Sequence, residues 1–103
     1  MVSDKEGDRA VNHQRYTLEP LPTKVENFIR RLDRETQNRI NSAFEYIRSS
    51  PFQHENPTTI KKLRGKKKGF YRYRVGSIRF IYRVDRSKRL IRIVQIDNRG
   101  DIF

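Results

Sequence analysis

The sequence predicts an α+β domain of element order β-α-α-β-β-β, an antiparallel sheet with a two-helix hairpin packed on one face. Three observations lead there. Apolar residues recur at i, i+3, i+4 and i+7 through two stretches between residues 23 and 50. From residue 70 the pattern changes to period two, in three runs separated by turn residues. The chain has 103 residues, enough for one domain with one core.

The elements follow in order. Residues 1–14 are polar and charged, with Gly7 and no apolar cluster, and read as a disordered lead to a domain spanning 15–103. Arg15 to Glu19 is a short strand, ended by Pro20 and Pro22. Thr23 stands as an N-cap with Glu26 three residues on, the capping-box spacing. The helix behind it puts Val25, Phe28, Ile29 and Leu32 on one stripe. Asp33 caps a second helix whose face is Ile40, Ala43, Phe44 and Ile47, and Ser49, Ser50 and Pro51 end it. Residues 52–60 read as a loop, and 61–69 as a basic segment with Gly65 and Gly69.

Three strands close the domain. Phe70 to Val75 alternates Tyr71, Tyr73, Val75 with Phe70, Arg72, Arg74, and Gly76-Ser77 makes a tight turn. Ile78 to Val84 alternates Ile78, Phe80, Tyr82, Val84 with Arg79, Ile81, Arg83, and Asp85 to Lys88 is a hairpin loop. Leu90 to Ile96 is apolar on nearly both faces, which predicts a central strand covered on both sides. Asp97 to Asp101 reads as a polar turn.

Charge is placed unevenly along this order. The net charge is +12, yet residues 1–60 hold 9 basic and 9 acidic side chains. The last 43 residues hold 15 basic and 3 acidic ones, so the whole excess sits in the part of the chain that holds the three-stranded sheet. Composition excludes several function classes. There is no Cys, hence no disulfide framework, thiolate metal site or Cys nucleophile, and His13 and His54 are too few for a histidine metal site. No run of 18 apolar residues exists, and Met1 to Gln14 has no apolar segment of a secretory signal, so the expected compartment is the cytoplasm, away from membranes. Hydrophobic content of 34% against 35% charged predicts a small core.

Residues i and i+2 share a face of a strand, so Arg72 and Arg74 point the same way, and Arg79 comes level with them across the turn. Like charges opposite each other destabilise a sheet, and a fold that keeps them has a polyanion to neutralise them. Arginine favours planar, bidentate contact with phosphate. Arg83 continues the same face, and Arg92 and Arg99 add charge from the last strand. Tyrosines lie between the arginines. Tyr71 is a candidate for stacking on bases, whereas Tyr73 and Tyr82 read as packing residues. Lys66-Lys67-Lys68 also suits a solvated turn, and His54 reads as a surface residue of its loop. No paired-carboxylate motif or Gly-rich phosphate loop is present. RNA cleavage suits such a set, because RNA supplies its own 2′-hydroxyl nucleophile and the protein must orient it and stabilise phosphate charge.

Four separated pieces then carry a family resemblance: Lys62-Leu63-Arg64-Gly65, Gly69-Phe70-Tyr71-Arg72-Tyr73-Arg74-Val75-Gly76, Arg79-Phe80-Ile81-Tyr82, and Ile93-Val94-Gln95-Ile96-Asp97-Asn98-Arg99-Gly100-Asp101-Ile102-Phe103. In this order they resemble the RelE/ParE toxin superfamily, RelE-like subgroup, over residues 16–103. The resemblance implies the toxin of a type II toxin–antitoxin pair. It implies an mRNA interferase, an endoribonuclease that acts at the ribosome, inhibits translation, and uses neither metal nor cofactor. Carried over by position, Arg72, Arg74, Arg79, Arg99 and Phe103 are the catalytic set. Lys61, Lys62, Arg64, Lys66, Lys67, Lys68, Tyr71 and Arg83 are the implied RNA and ribosome contacts. The implied partners are a RelB-like antitoxin, acidic to match the +12, and the 70S ribosome with its mRNA, with operator DNA reached only through the antitoxin complex.

Two positions depart from the family pattern. Its usual His is Asn98 and its usual Tyr is Phe103, so stacking and charge stabilisation survive while both proton-transfer groups are absent. The expectation is weakened cleavage, or cleavage with a different proton acceptor. Two other functions compete: a ParE-like toxin that inhibits DNA gyrase without nuclease activity, and an RNA-binding protein that has lost catalysis. The helical stripe residues Val25, Phe28, Phe44 and Ile47 are expected to serve the antitoxin in part.

Overall fold

The computed structural model describes residues 15–65 and 69–98. Its elements are β1 (Thr17–Leu18), α1 (Thr23–Arg30), α2 (Arg34–Ser49), β2 (Ile60–Lys62), β3 (Phe70–Val75), β4 (Ile78–Asp85) and β5 (Leu90–Asn98). The predicted lead at 1–14, the lysines at 66–68 and residues 99–103 lie outside the described residues. Among the described residues no helix is long and apolar enough to cross a membrane.

The strands form one sheet of order β1-β5-β4-β3-β2. β2 to β5 run antiparallel, and β1 joins β5 in parallel, pairing Thr17 with Leu90 and Leu18 with Ile91. β1 is tied to the end of α2 as well. The Tyr16 N–H donates to the Arg48 carbonyl at 2.7 Å, Arg48 Nε donates to the Tyr16 carbonyl at 3.0 Å, and Glu45 pairs with both Arg15 and Arg48.

Both helices lie on one face of the sheet and bury the stripes the spacing predicts. Val25, Ile40, Ala43, Phe44 and Ile47 join Tyr71, Tyr73, Phe80, Tyr82 and the β5 isoleucines in a single core. Phe80 and Tyr82 are 0% exposed. Cross-strand neighbours stack ring on ring, Tyr73 on Phe80 at 5.1 Å and Tyr71 on Tyr82 at 5.7 Å. The Tyr82 hydroxyl, pushed to a higher pKa by burial, donates to the Pro51 carbonyl at 2.6 Å and so remains satisfied. The sheet therefore uses up the helical stripes. Val25, Phe44 and Ile47 are buried, so these three are not the partner surface the sequence suggested, while Phe28 is half-buried against the same core.

Asp33 caps α2 as expected, accepting from the Thr36 N–H at 3.1 Å and the Thr36 hydroxyl at 2.6 Å. Gln37 closes the other side of the joint, donating through Nε2 to the Ile29 and Leu32 carbonyls at the end of α1. Thr23 does not cap α1. It is the first helical residue, Pro22 holds the cap position without a side-chain bond, and the Pro22 carbonyl accepts from the Glu26 N–H at 3.0 Å.

Three strand features depart from the sequence expectation. Ile60–Lys62, within the expected loop and basic segment, is a strand antiparallel to β3, with Ile60 buried opposite Tyr73. β5 continues through Asp97 and Asn98, where a turn was expected. β5 is also not covered on both sides. Ile81 pairs with Gln95 and Tyr82 with Ile93, so Val94 is an extra bulge residue, 38% exposed. The bulge shifts the alternation by one, which puts Ile96 on the core face opposite Phe80, in line with Ile91 and Ile93. The continuous apolar run reflects this change of phase, with Arg92, Val94 and Gln95 facing solvent.

Candidate functional site

The sheet face opposite the helices is uncovered among the described residues, and its side chains stand in three rows. At the Gly76-Ser77 end, Arg74 on β3 faces Arg79 on β4, which faces Asp97 on β5. In the middle row, Lys61 on β2 faces Arg72, then Ile81, then Gln95. At the β4–β5 hairpin end, Phe70 faces Arg83, which faces Arg92. Successive rows stand about 7 Å apart along the strands. Gly76 has the positive φ of 59° that the tight turn between β3 and β4 needs, which brings Arg74 and Arg79 into register.

Arg72, Arg74 and Arg79 thus come together as the alternation predicted, each half-buried. Arg72 is fixed by a hydrogen bond from Nη2 to the Thr58 carbonyl at 2.6 Å, which ties the site to the loop before β2. Asp97 brings a carboxylate into the row of Arg74 and Arg79, and the Gln95 side-chain amide donates to it. The sequence pattern places it in a turn, because the bulge that extends β5 leaves no mark there. Asn98 ends β5 opposite Ile78.

The other sequence-predicted contacts separate. Lys61 is exposed on the open face, Lys62 is exposed opposite Tyr71, and Arg64 is exposed in the segment beyond β2. Arg83 lies at the far row. Tyr71 is 7% exposed and packs between Tyr82 and Phe52 on the helix side, so it offers no ring to a base. The period-two pattern already placed Tyr71 in phase with Tyr73 and Val75, and that phase decides its side. The open-face ring is Phe70, one residue earlier and half-buried. Arg99, Phe103 and Lys66 to Lys68 lie outside the described residues. His54 stands against Tyr46 at 4.5 Å and lines a cavity with Tyr73 and Arg74, and its Nδ1 accepts from the Asn56 N–H at 3.0 Å. Among the described residues no group of three or more His, Cys, Asp or Glu is placed to hold a metal ion. Chemically, the rows offer several phosphate-binding forks, with the Asp97 carboxylate in the Arg74 and Arg79 row and the Glu19 carboxylate bonded to Arg92.

A family model for the ParE toxin of type II toxin–antitoxin systems, parDE, matches residues 21–103. The chain belongs to this toxin family. The RelE/ParE superfamily of the sequence resemblance is thereby shown, and solved structures share the fold. The archaeal RelE–RelB complex from Pyrococcus horikoshii aligns with TM-score 0.70 at 24% identity, over 82% of this chain and 96% of that one. The toxin–antitoxin complex RelBE2 from Mycobacterium tuberculosis aligns with TM-score 0.54 at 25% identity, over 82% and 99%. A mutant of the E. coli toxin RelE in the free state aligns with TM-score 0.64 at 20% identity, over 82% and 83%. No curated protein matches the chain. For a toxin of this family, the arginine rows are the feature that asks for a chemical explanation.

Proposed function

We propose that this toxin is a metal-independent, ribosome-dependent endoribonuclease that cuts mRNA and inhibits translation. The observation that carries the reading is the set Arg72, Arg74 and Arg79 on the uncovered face, with Asp97 in the same row. A phosphate between Arg74 and Arg79 meets two guanidinium forks, which stabilise the charge that grows on its oxygens during attack by the 2′-hydroxyl. Arg72, held by Thr58, orients the strand from the next row. Asp97 takes the proton of the 2′-hydroxyl as the O2′–P bond forms. The P–O5′ bond breaks, the leaving oxygen takes a proton from water, and Asp97 returns its proton to solvent. The products are a 2′,3′-cyclic phosphate and a 5′-hydroxyl. Asp97 thereby fills the role for which Asn98 and Phe103 have no group.

Lys61, Lys62 and Arg64 supply longer-range attraction to ribosomal RNA in the cytoplasm. An acidic antitoxin neutralises the toxin, and operator DNA is reached through that complex. A second reading, inhibition of DNA gyrase without nuclease activity, is favoured by the match to the ParE family model. Induction in bacteria followed by mapping of breaks in translated mRNA separates the two. Codon-phased cuts, lost with Arg74→Ala, Arg79→Ala and Asp97→Asn, are the expected result. Intact mRNA with a DNA-damage response favours gyrase.

A further inference from the structure

The third row holds a second pair of opposed arginines that the chemistry above leaves unused. Arg83 faces Arg92 directly across β4 and β5, as Arg74 faces Arg79 four residues away on β3 and β4. Such a pair destabilises the sheet unless something answers it. Half of the answer is internal. Arg92 donates through Nε to Glu19 at 2.8 Å, and this bond raises the already high pKa of Arg92. Its terminal nitrogens remain to donate to another anion. Among the described residues no carboxylate is bonded to Arg83, although Asp85 lines the same cavity. Its guanidinium carbon stands 6.0 Å from the centroid of the Phe70 ring, and Phe70 is the one aromatic side chain on the open face among the described residues. A cavity of ≈ 200 Å³ adjoins the row, lined by Glu19, Arg83, Asp85, Lys88, Leu90 and Arg92.

We propose that Phe70, Arg83 and Arg92 form a second nucleotide subsite for the single-stranded RNA whose reacting phosphate lies at Arg74 and Arg79. This inference rests on the RNA reading of the open face and extends it. A ring beside a guanidinium is the combination a single strand takes, base on ring and phosphate on fork. The two subsites are four strand residues apart, about 13 Å, which is the rise of about four stacked nucleotides. A dinucleotide reaches one subsite, and a strand of about eight nucleotides reaches both. Glu19 sets the strength of the second subsite by cancelling one of its two positive charges.

The test is binding of labelled, cleavage-resistant 2′-O-methyl RNA to the full chain, with strands of two and about eight nucleotides compared by fluorescence anisotropy. Phe70→Leu and Arg83→Gln are each expected to weaken the longer strand by about tenfold and to leave the dinucleotide unchanged. Arg83→Gln is also expected to lower the salt slope for the longer strand by about 0.7. Glu19→Gln is expected to tighten the longer strand. Arg83 is exposed, so its variant keeps the test decisive even where Phe70→Leu loosens the fold. If Phe70→Leu and Arg83→Gln bind the longer strand like the parent while Arg74→Gln binds it weakly, the subsite is overturned and the nuclease reading stands. If the unmodified toxin binds neither strand, the subsite is overturned, and the nuclease reading is decided by the mRNA breaks instead.

Discussion

The two faces of this sheet obey opposite rules, and they do so on the same strands. Tyr73 stacks on Phe80 across β3 and β4, and at the next position Arg74 faces Arg79. One residue step separates an attractive pair from a repulsive one. The helix face gains from every contact, because its rings and isoleucines leave water and find neighbours. The open face gives up stability wherever like charges meet. The difference teaches where stability and function lie: the first face holds the fold, and the second keeps a charge arrangement suited to a bound anion.

Substitutions on each face can break or sharpen that contrast. The largest expected effect is Phe80→Ala. Phe80 is fully buried and touches Phe44, Tyr73 and Tyr82, so its loss should cost about 3–5 kcal/mol in urea unfolding. A cost below about 1 kcal/mol would show that the helix face is not the core. Tyr82→Phe keeps the ring and leaves the Pro51 carbonyl without its donor, with an expected cost of about 1–2 kcal/mol by the same measurement. Arg79→Gln should act in the other direction. Relieving the juxtaposition with Arg74 should leave stability unchanged or raise it by up to about 1 kcal/mol, while the proposed RNA cleavage is lost. A clear loss of stability would mean that Arg79 is structural.

The smallest effect lies outside both faces, at the cap of α2. The Thr36 hydroxyl and then its N–H hold the Asp33 carboxyl below its ordinary pKa. The folded value lies below the unfolded one of about 3.9, so this contribution is complete above that pH and is lost as pH falls through the folded value. Asp33→Asn keeps an acceptor without the charge and should flatten the acid side of a melting-temperature profile.

Much of this was legible in the chain. The stripes of α1 and α2, the Asp33 cap and the Gly76-Ser77 turn are local signals, and alternation placed Arg72, Arg74 and Arg79 on one face. β2 was not legible, because Ile60–Lys62 is too short to show a period and pairs only because β3 is beside it. Tyr71 was assigned by residue type, where its phase pointed inward. Asp97 and the row of Phe70, Arg83 and Arg92 depend on which residues of different strands stand opposite each other.

By itself the sequence determined the periods, the turns and the concentration of charge in the last 43 residues. Those properties act between near neighbours, and the backbone geometry of helix and strand translates them directly. Only the tertiary structure decided the register of β5. The bulge at Val94 returns Ile96 to the core, because burying that side chain against Phe80 outweighs one lost ladder position. The same shift sets Asp97 opposite Arg79, whereas the hairpin register before the bulge sets Arg92 opposite Arg83. A packing preference on the covered face thereby arranges the charges on the open one.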